Sequence, residues 1–133
     1  NDENNVKSKK FSHEQIEYIN NSIDYLKKKI SNPVFCLLSN DIENINLNDF
    51  STKITKIIHN KEFYNSLDQN SLDLYLITQA KHHIVIPSTF NWWGAWLCSN
   101  KEKIILRPSS NYFSQFKINN NDFWPDTWLK INK

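Results

Sequence analysis

Apolar residues at Ile16, Ile19, Ile23, Leu26 and Ile30 recur every three or four positions, which is the spacing of one helix face. Ser12 and Gln15 have the form of a capping box, with Phe11 and Ile16 as a hydrophobic staple around it. A helix is therefore predicted from Ser12 to the stop signal Asn32-Pro33, preceded by a polar, fraying segment over residues 1–10. Val34 to Leu38 is an unbroken apolar run, as expected of a strand covered on both faces in a parallel sheet. Ser39-Asn40-Asp41 forms the loop at its carboxyl end. Residues 42–58 carry a mixed pattern, read as a short helix over 42–48 and a strand over 53–58, and residues 60–70 form a polar connector. Asn70 or Ser71 then caps a helix over 71–81. His83 to Ile86 reads as a strand, Phe90 to Cys98 as an aromatic helix and Lys103 to Leu106 as a strand ended by Arg107-Pro108. The tail from Phe123 to Leu129 reads as a closing helix that docks its aromatics.

This order of elements implies an α/β fold: a three-layer, Rossmann-like parallel sheet flanked by helices, forming one domain over residues 11–133. With 133 residues the chain is long enough for one real core. Its 16 Lys+Arg against 14 Asp+Glu give a net charge of +2 without a basic stripe, so no nucleic-acid partner is expected. No run of about 18 apolar residues is present, so no transmembrane segment is expected. The chain opens Asn-Asp-Glu-Asn-Asn without an initiator Met and reads as a piece of a longer protein. Cys36 and Cys98 are far apart and are expected as two buried thiols in a reducing compartment rather than a disulfide.

Chemistry concentrates where Ile84 to Ile86 runs through Pro87-Ser88-Thr89 into a helix that holds three of the five tryptophans and the single glycine. A strand-to-helix turn offers phosphate the N–H groups and the positive dipole end of the helix, and in open α/β sheets ligands sit at the carboxyl ends of strands. Ser88, Thr89 and Phe90 are thus candidates for binding a nucleotide diphosphate, although Ser88 and Thr89 also read as plain caps. Spacing alone makes Asp73 a helix-capping acid. Asp41 is a further candidate, as a base at a strand end or as a loop hydrogen-bonding group. Trp92, Trp93 and Trp96 could form a sugar-stacking platform, with core packing the expected role of at least two. Gly94 suggests close packing. His82 and His83 point to opposite faces of a strand and lack a completing ligand cluster, so no metal site is expected.

Asp73-Leu74-Tyr75, followed by the run from Ala80-Lys81-His82-His83 through Ser88-Thr89-Phe90-Asn91-Trp92-Trp93-Gly94-Ala95-Trp96-Leu97, resembles the C-terminal region of glycosyltransferase family 11, the α-1,2-fucosyltransferases. Ser39-Asn40-Asp41-Ile42-Glu43 resembles that family's S-D-D-I-E loop, Lys103 to Pro108 with Tyr112-Phe113 its K-I-V-x-A-P and W-F segment, and Trp124 to Trp128 its P-x-x-W ending. The likeness covers residues 11–131. It implies the C-terminal, donor-binding lobe of a GT-B-type enzyme that transfers fucose from GDP-fucose, with inversion and without a metal or other cofactor, to a galactose-terminated glycan. By the same likeness Asp73 would face the guanine, and Ser88, Thr89 and Phe90 the diphosphate and base. In a bacterium the implied setting is surface-polysaccharide synthesis in the cytoplasm, peripherally at the inner membrane.

The chain departs from the family at Asn40, which replaces an Asp, and at Ala80, which replaces a Cys. The family's H-x-R-x-G-D-Y segment, whose Arg neutralises the leaving diphosphate, has no counterpart here, and Arg107 is the chain's single arginine. A companion N-terminal lobe would supply that segment, and without it the chain is expected to bind donor weakly and not turn over. Two other readings stand beside this one: a non-catalytic nucleotide- or partner-binding Rossmann-like module, and a flavodoxin- or receiver-like domain, for which Asn40-Asp41 is a thin acidic cluster.

Overall fold

A computed structural model describes residues 2–39, 42–58, 68–113 and 115–133, with side chains from His13 onward. The first helix, α1, runs unbroken over Asp2–Lys29. Residues 2–10 are thus helical, and Ser12 lies inside the helix instead of at its start. Lys27, Lys28 and Lys29 fill the last turn, where cations complement the dipole. Beyond it Asn32 takes a left-handed conformation with φ 52°, tolerated by its short polar side chain, ahead of Pro33. The buried face is Glu14, Tyr18, Ser22 and Leu26, together with Ile23. Ile16 and Ile19 are only half-buried, so the face used is rotated from the apolar stripe.

Strand β1 (Phe35–Leu37) pairs in parallel with β2 (Ile54–Lys56), Phe35 opposite Ile54. Two short 3-10 turns, Ile42–Asn44 and Leu47–Asp49, lie between them. Helix α2 (Gln69–Gln79), strand β3 (His83–Ile84), helix α3 (Thr89–Trp96), strand β4 (Ile105–Pro108), helix α4 (Asn120–Phe123) and strand β5 (Leu129–Ile131) follow. A second parallel sheet has the order β3-β4-β5. Successive residues of β4 serve opposite faces. Leu106 joins Tyr18, Leu26, Tyr112, Phe113 and Ile131 on the α1 side. Ile105 joins Val85, Ala95, Trp124 and Trp128 on the α3 side. The result is the expected three-layer α/β arrangement of parallel strands between helices.

Three expectations are corrected. β1 is not covered on both faces: Val34 is 81% exposed and Cys36 is exposed, because β1 belongs to a two-stranded sheet rather than the middle of a wide one. Of the two thiols only Cys98 is buried; both are free. The tail is not one helix: α4 ends before Pro125, and Leu129–Ile131 instead extends the ladder on β4. Its aromatics do dock, with Trp124 and Trp128 both buried.

Between β1 and β3 lies a cavity of about 270 Å³, lined by Phe35 to Leu38 on one side and by His82 to Ile86 on the other. Ile54 and Ile57, from β2 and its end, line it as well.

Candidate functional site

The segment after β3 delivers Ser88 as the N-cap of α3 in an extended conformation (φ −152°, ψ 131°), and its side chain makes no capping hydrogen bond. Elsewhere an Asx side chain does this work: Asp68 accepts from Asn70 N–H in α2, Asn46 from Asn48 N–H in the second 3-10 turn, and Asn119 from Asn121 N–H in α4. The Ser88 side chain thus caps none of the first-turn N–H groups of α3, and the dipole adds positive potential there. Thr89 is exposed, and Ser88 and Phe90 are half-buried. The plain-cap reading of the Ser88 side chain is thus not realised.

The far end of α3 is tied down. Lys103 Nζ donates to the carbonyls of Ala95, Trp96 and Cys98 at 3.2, 3.0 and 2.9 Å, a cation on the orphan carbonyls of a helix C-terminus. Trp92 Nε1 donates to the Phe123 carbonyl at 2.7 Å. Trp96 stacks on Trp92 with centroids 5.2 Å apart. Trp93 and Trp96 are 51% and 50% exposed, so core packing falls to Trp92 and not to two of the three.

Asp73 lies in the second turn of α2 and is 4% exposed. It is no helix cap: Asp68 is, and it also accepts from Ser71 Oγ at 2.9 Å. A carboxylate that satisfies two donors at the positive end of the helix outcompetes the expected Asn70 or Ser71. Helices α2 and α3 touch at Gly94, where an added Cβ would fall 2.2 Å from Ile77 Cγ2. Asp73 lies one turn before Ile77 in α2, and Phe90 one turn before Gly94 in α3. Asp73 lines neither this chain's cavity at β1 and β3 nor the cleft beyond β4. Asp41 lies outside the described residues.

The histidines are structural. His82 Nδ1 accepts from Ile104 N–H at 3.0 Å. His83 Nε2 is 2.7 Å from the Ile77 carbonyl and burial lowers its pKa, so the neutral ring donates there. Among the described residues no group of three or more His, Cys, Asp or Glu could hold a metal, and no helix is long and apolar enough to cross a membrane. Arg107 Nη1 donates to the Pro108 carbonyl at 3.3 Å.

Two residues at the strand ends escaped the sequence reading. Tyr18 is fully buried. Its hydroxyl donates to the Val85 carbonyl at 2.6 Å and lies 2.9 Å from that of Leu106. Ser109 lies buried in the cleft beyond β4. The one signal for Tyr18 was its place in the four-residue series Tyr18, Ser22, Leu26; Ser109 gave none.

A parallel α/β lobe with an uncapped helix start at the carboxyl ends of its strands belongs to the Rossmann-like class. The profile of Glycosyl transferase family 11 matches residues 3–132, and the chain belongs to that family. It is 34% identical over 116 residues to an alpha-1,2-colitosyltransferase of Escherichia coli, covering 87% of this chain and 39% of that protein. It is 24% identical over 117 residues to the O-antigen biosynthesis glycosyltransferase WbnK of Escherichia coli, covering 87% of this chain and 36% of the relative. The chain thus spans under two fifths of the length of either relative. No solved structure matches it.

Proposed function

We propose that this chain is the donor-binding lobe of a bacterial glycosyltransferase of GT-B architecture that transfers fucose from GDP-fucose, with inversion, to the 2-position of a galactose-terminated glycan. The observation that carries the reading is the α3 start: Ser88 leaves the first-turn N–H groups uncapped at the carboxyl end of β3, where a diphosphate would find donors and a favourable dipole. Ser88, Thr89 and Phe90 hold the diphosphate. Asp73, buried on α2, accepts from the guanine N1–H and exocyclic amine.

The breaking bond joins the sugar to the β-phosphate, so charge grows on the diphosphate as fucose departs. Preorganised donors there stabilise the transition state more than the ground state. The bidentate cation for that charge comes from a companion N-terminal lobe carrying the family's arginine segment, as does most of the acceptor site. No metal is required in this scheme. Family membership and the relative named for O-antigen biosynthesis support a role in surface-polysaccharide assembly; the proposed setting is the cytoplasm, peripherally at the inner membrane.

Calorimetric or NMR titration with GDP, GDP-fucose, ADP and UDP tests the reading. Selective response to the two guanine ligands, with shifts at Asp73 and Ser88 to Phe90 and loss of selectivity in Asp73→Asn, is expected. Equal response to all four nucleotides, or none, refutes it.

A further inference from the structure

Pro87 and Pro108 sit where β3 and β4 end, and both line a cleft of about 250 Å³ whose walls include Phe116 and Trp124 and whose polar groups include Ser109 and Lys117. The register fixes its place. His83 lies opposite Ile105, and Val85 N–H still bonds to the Leu106 carbonyl at 2.9 Å. The loop bearing Ser88 therefore leaves the sheet beside the loop bearing Ser109, and Pro87 and Ser109 line the same cleft. The cleft is smaller than the roughly 300–1,000 Å³ of pockets that take whole ligands; it suits one sugar ring, not a nucleotide.

Ser109 is 5% exposed. Its backbone is engaged, N–H to the Ile131 carbonyl at 3.0 Å and carbonyl from Tyr112 N–H at 3.1 Å. Its Oγ has no hydrogen-bond partner among the described residues. Buried hydroxyls in native proteins are nearly always paired, and a hydroxyl held dry beside an anion cradle is a group waiting for a ligand's own hydroxyl. Phe116 and Trp124 offer apolar surface to the C–H face of a hexose.

We propose that this cleft receives the transferred hexose of the nucleotide sugar and that Ser109 hydrogen-bonds one of its hydroxyls, which makes Ser109 a specificity-determining residue. The inference rests on the reading above, that the diphosphate lies at the start of α3; the sugar then extends past Pro87 toward Ser109.

Calorimetric titration of the wild-type chain and of Ser109→Ala with GDP and with GDP-fucose provides the test, with thermal unfolding of the unliganded proteins alongside. The wild type binds GDP-fucose more tightly than GDP. Ser109→Ala keeps its GDP affinity within about twofold and loses about 3- to 10-fold toward GDP-fucose, the yield of one hydrogen bond. Its unliganded melting temperature is unchanged or higher, because the substitution deletes a buried group with no partner. A donor-to-GDP affinity ratio equal in the two proteins, a wild type that gains nothing from the sugar, or a lowered unliganded melting temperature overturns the subsite while leaving GDP binding intact. A wild type that ignores GDP overturns the donor-lobe reading itself, and the subsite with it.

Discussion

Replacing Tyr18 by Phe removes one oxygen and tests how the two strand ends are held. In the parallel ladder, Val85 N–H bonds to the Leu106 carbonyl, and the next bond would run from the N–H of residue 108 to the Val85 carbonyl. Residue 108 is a proline and has no N–H to give. The Tyr18 hydroxyl, 2.6 Å from the Val85 carbonyl, replaces it from the opposite face of the sheet. Leu106 keeps its partner in the variant, whereas the carbonyl of Val85, a fully buried residue, loses the one just described. Stranding a buried acceptor costs about 1–3 kcal/mol, so Tyr18→Phe should lose about 2 kcal/mol. For a chain of this size that lowers the melting temperature by about 5–10 °C. Urea unfolding followed by tryptophan fluorescence gives the free energy. The pH dependence supplies a second check. Burial raises the Tyr18 pKa far above its ordinary value, so the folded protein keeps this proton while the unfolded chain releases it near pH 10. The group's contribution is complete below about pH 10 and is lost as pH rises beyond, and the variant should show the shallower alkaline slope. A loss under about 0.5 kcal/mol, or identical alkaline slopes, would refute the substitution of a hydroxyl for a missing amide.

Two further outcomes follow from the packing around Ile77. Gly94→Ala drives a Cβ to 2.2 Å from Ile77 Cγ2 and 2.9 Å from its Cβ. That overpacking should cost about 1–3 kcal/mol, and the loss should be partly relieved when Ile77→Ala is combined with it. Purely additive losses in chemical denaturation would contradict the contact. His83 has its pKa lowered, chiefly by burial, and its Nδ1 is buried with no partner among the described residues. The unfolded chain therefore takes up the proton first. Wild-type stability should decline as pH falls below about 6.5, the unfolded value, and His83→Gln should flatten that decline while being less stable at pH 7. An equally steep profile in the variant would count against the assignment.

Much of the site was legible because its signals are local. The turn Pro87-Ser88-Thr89, the aromatic helix behind it and the apolar strand before it all appear where the sequence places them, α3 starting at Thr89. So does the weak strand in the middle, as β2. The misreadings share a different cause. Residues 2–10 lack apolar periodicity yet belong to a helix. The Asn70 and Ser71 cap signals lost to Asp68, two residues upstream, since hydroxyl, amide and carboxylate compete for the same N–H groups. Leu129-Lys130-Ile131 is too short to announce a strand alone and becomes one through its bonds to β4.

Period, punctuation and residue chemistry thus determined the α/β class and the position of the turn that opens α3. Those depend on contacts within a few residues, which one stretch of chain encodes by itself. The tertiary structure alone decided that Tyr18 completes the ladder at Pro108, that Gly94 admits Ile77, that Asp73 is buried, and that Ser109 lines a cleft beside Pro87. Each of these joins residues far apart in the sequence, and no periodicity records which strand ends will lie a single hydrogen-bond spacing apart.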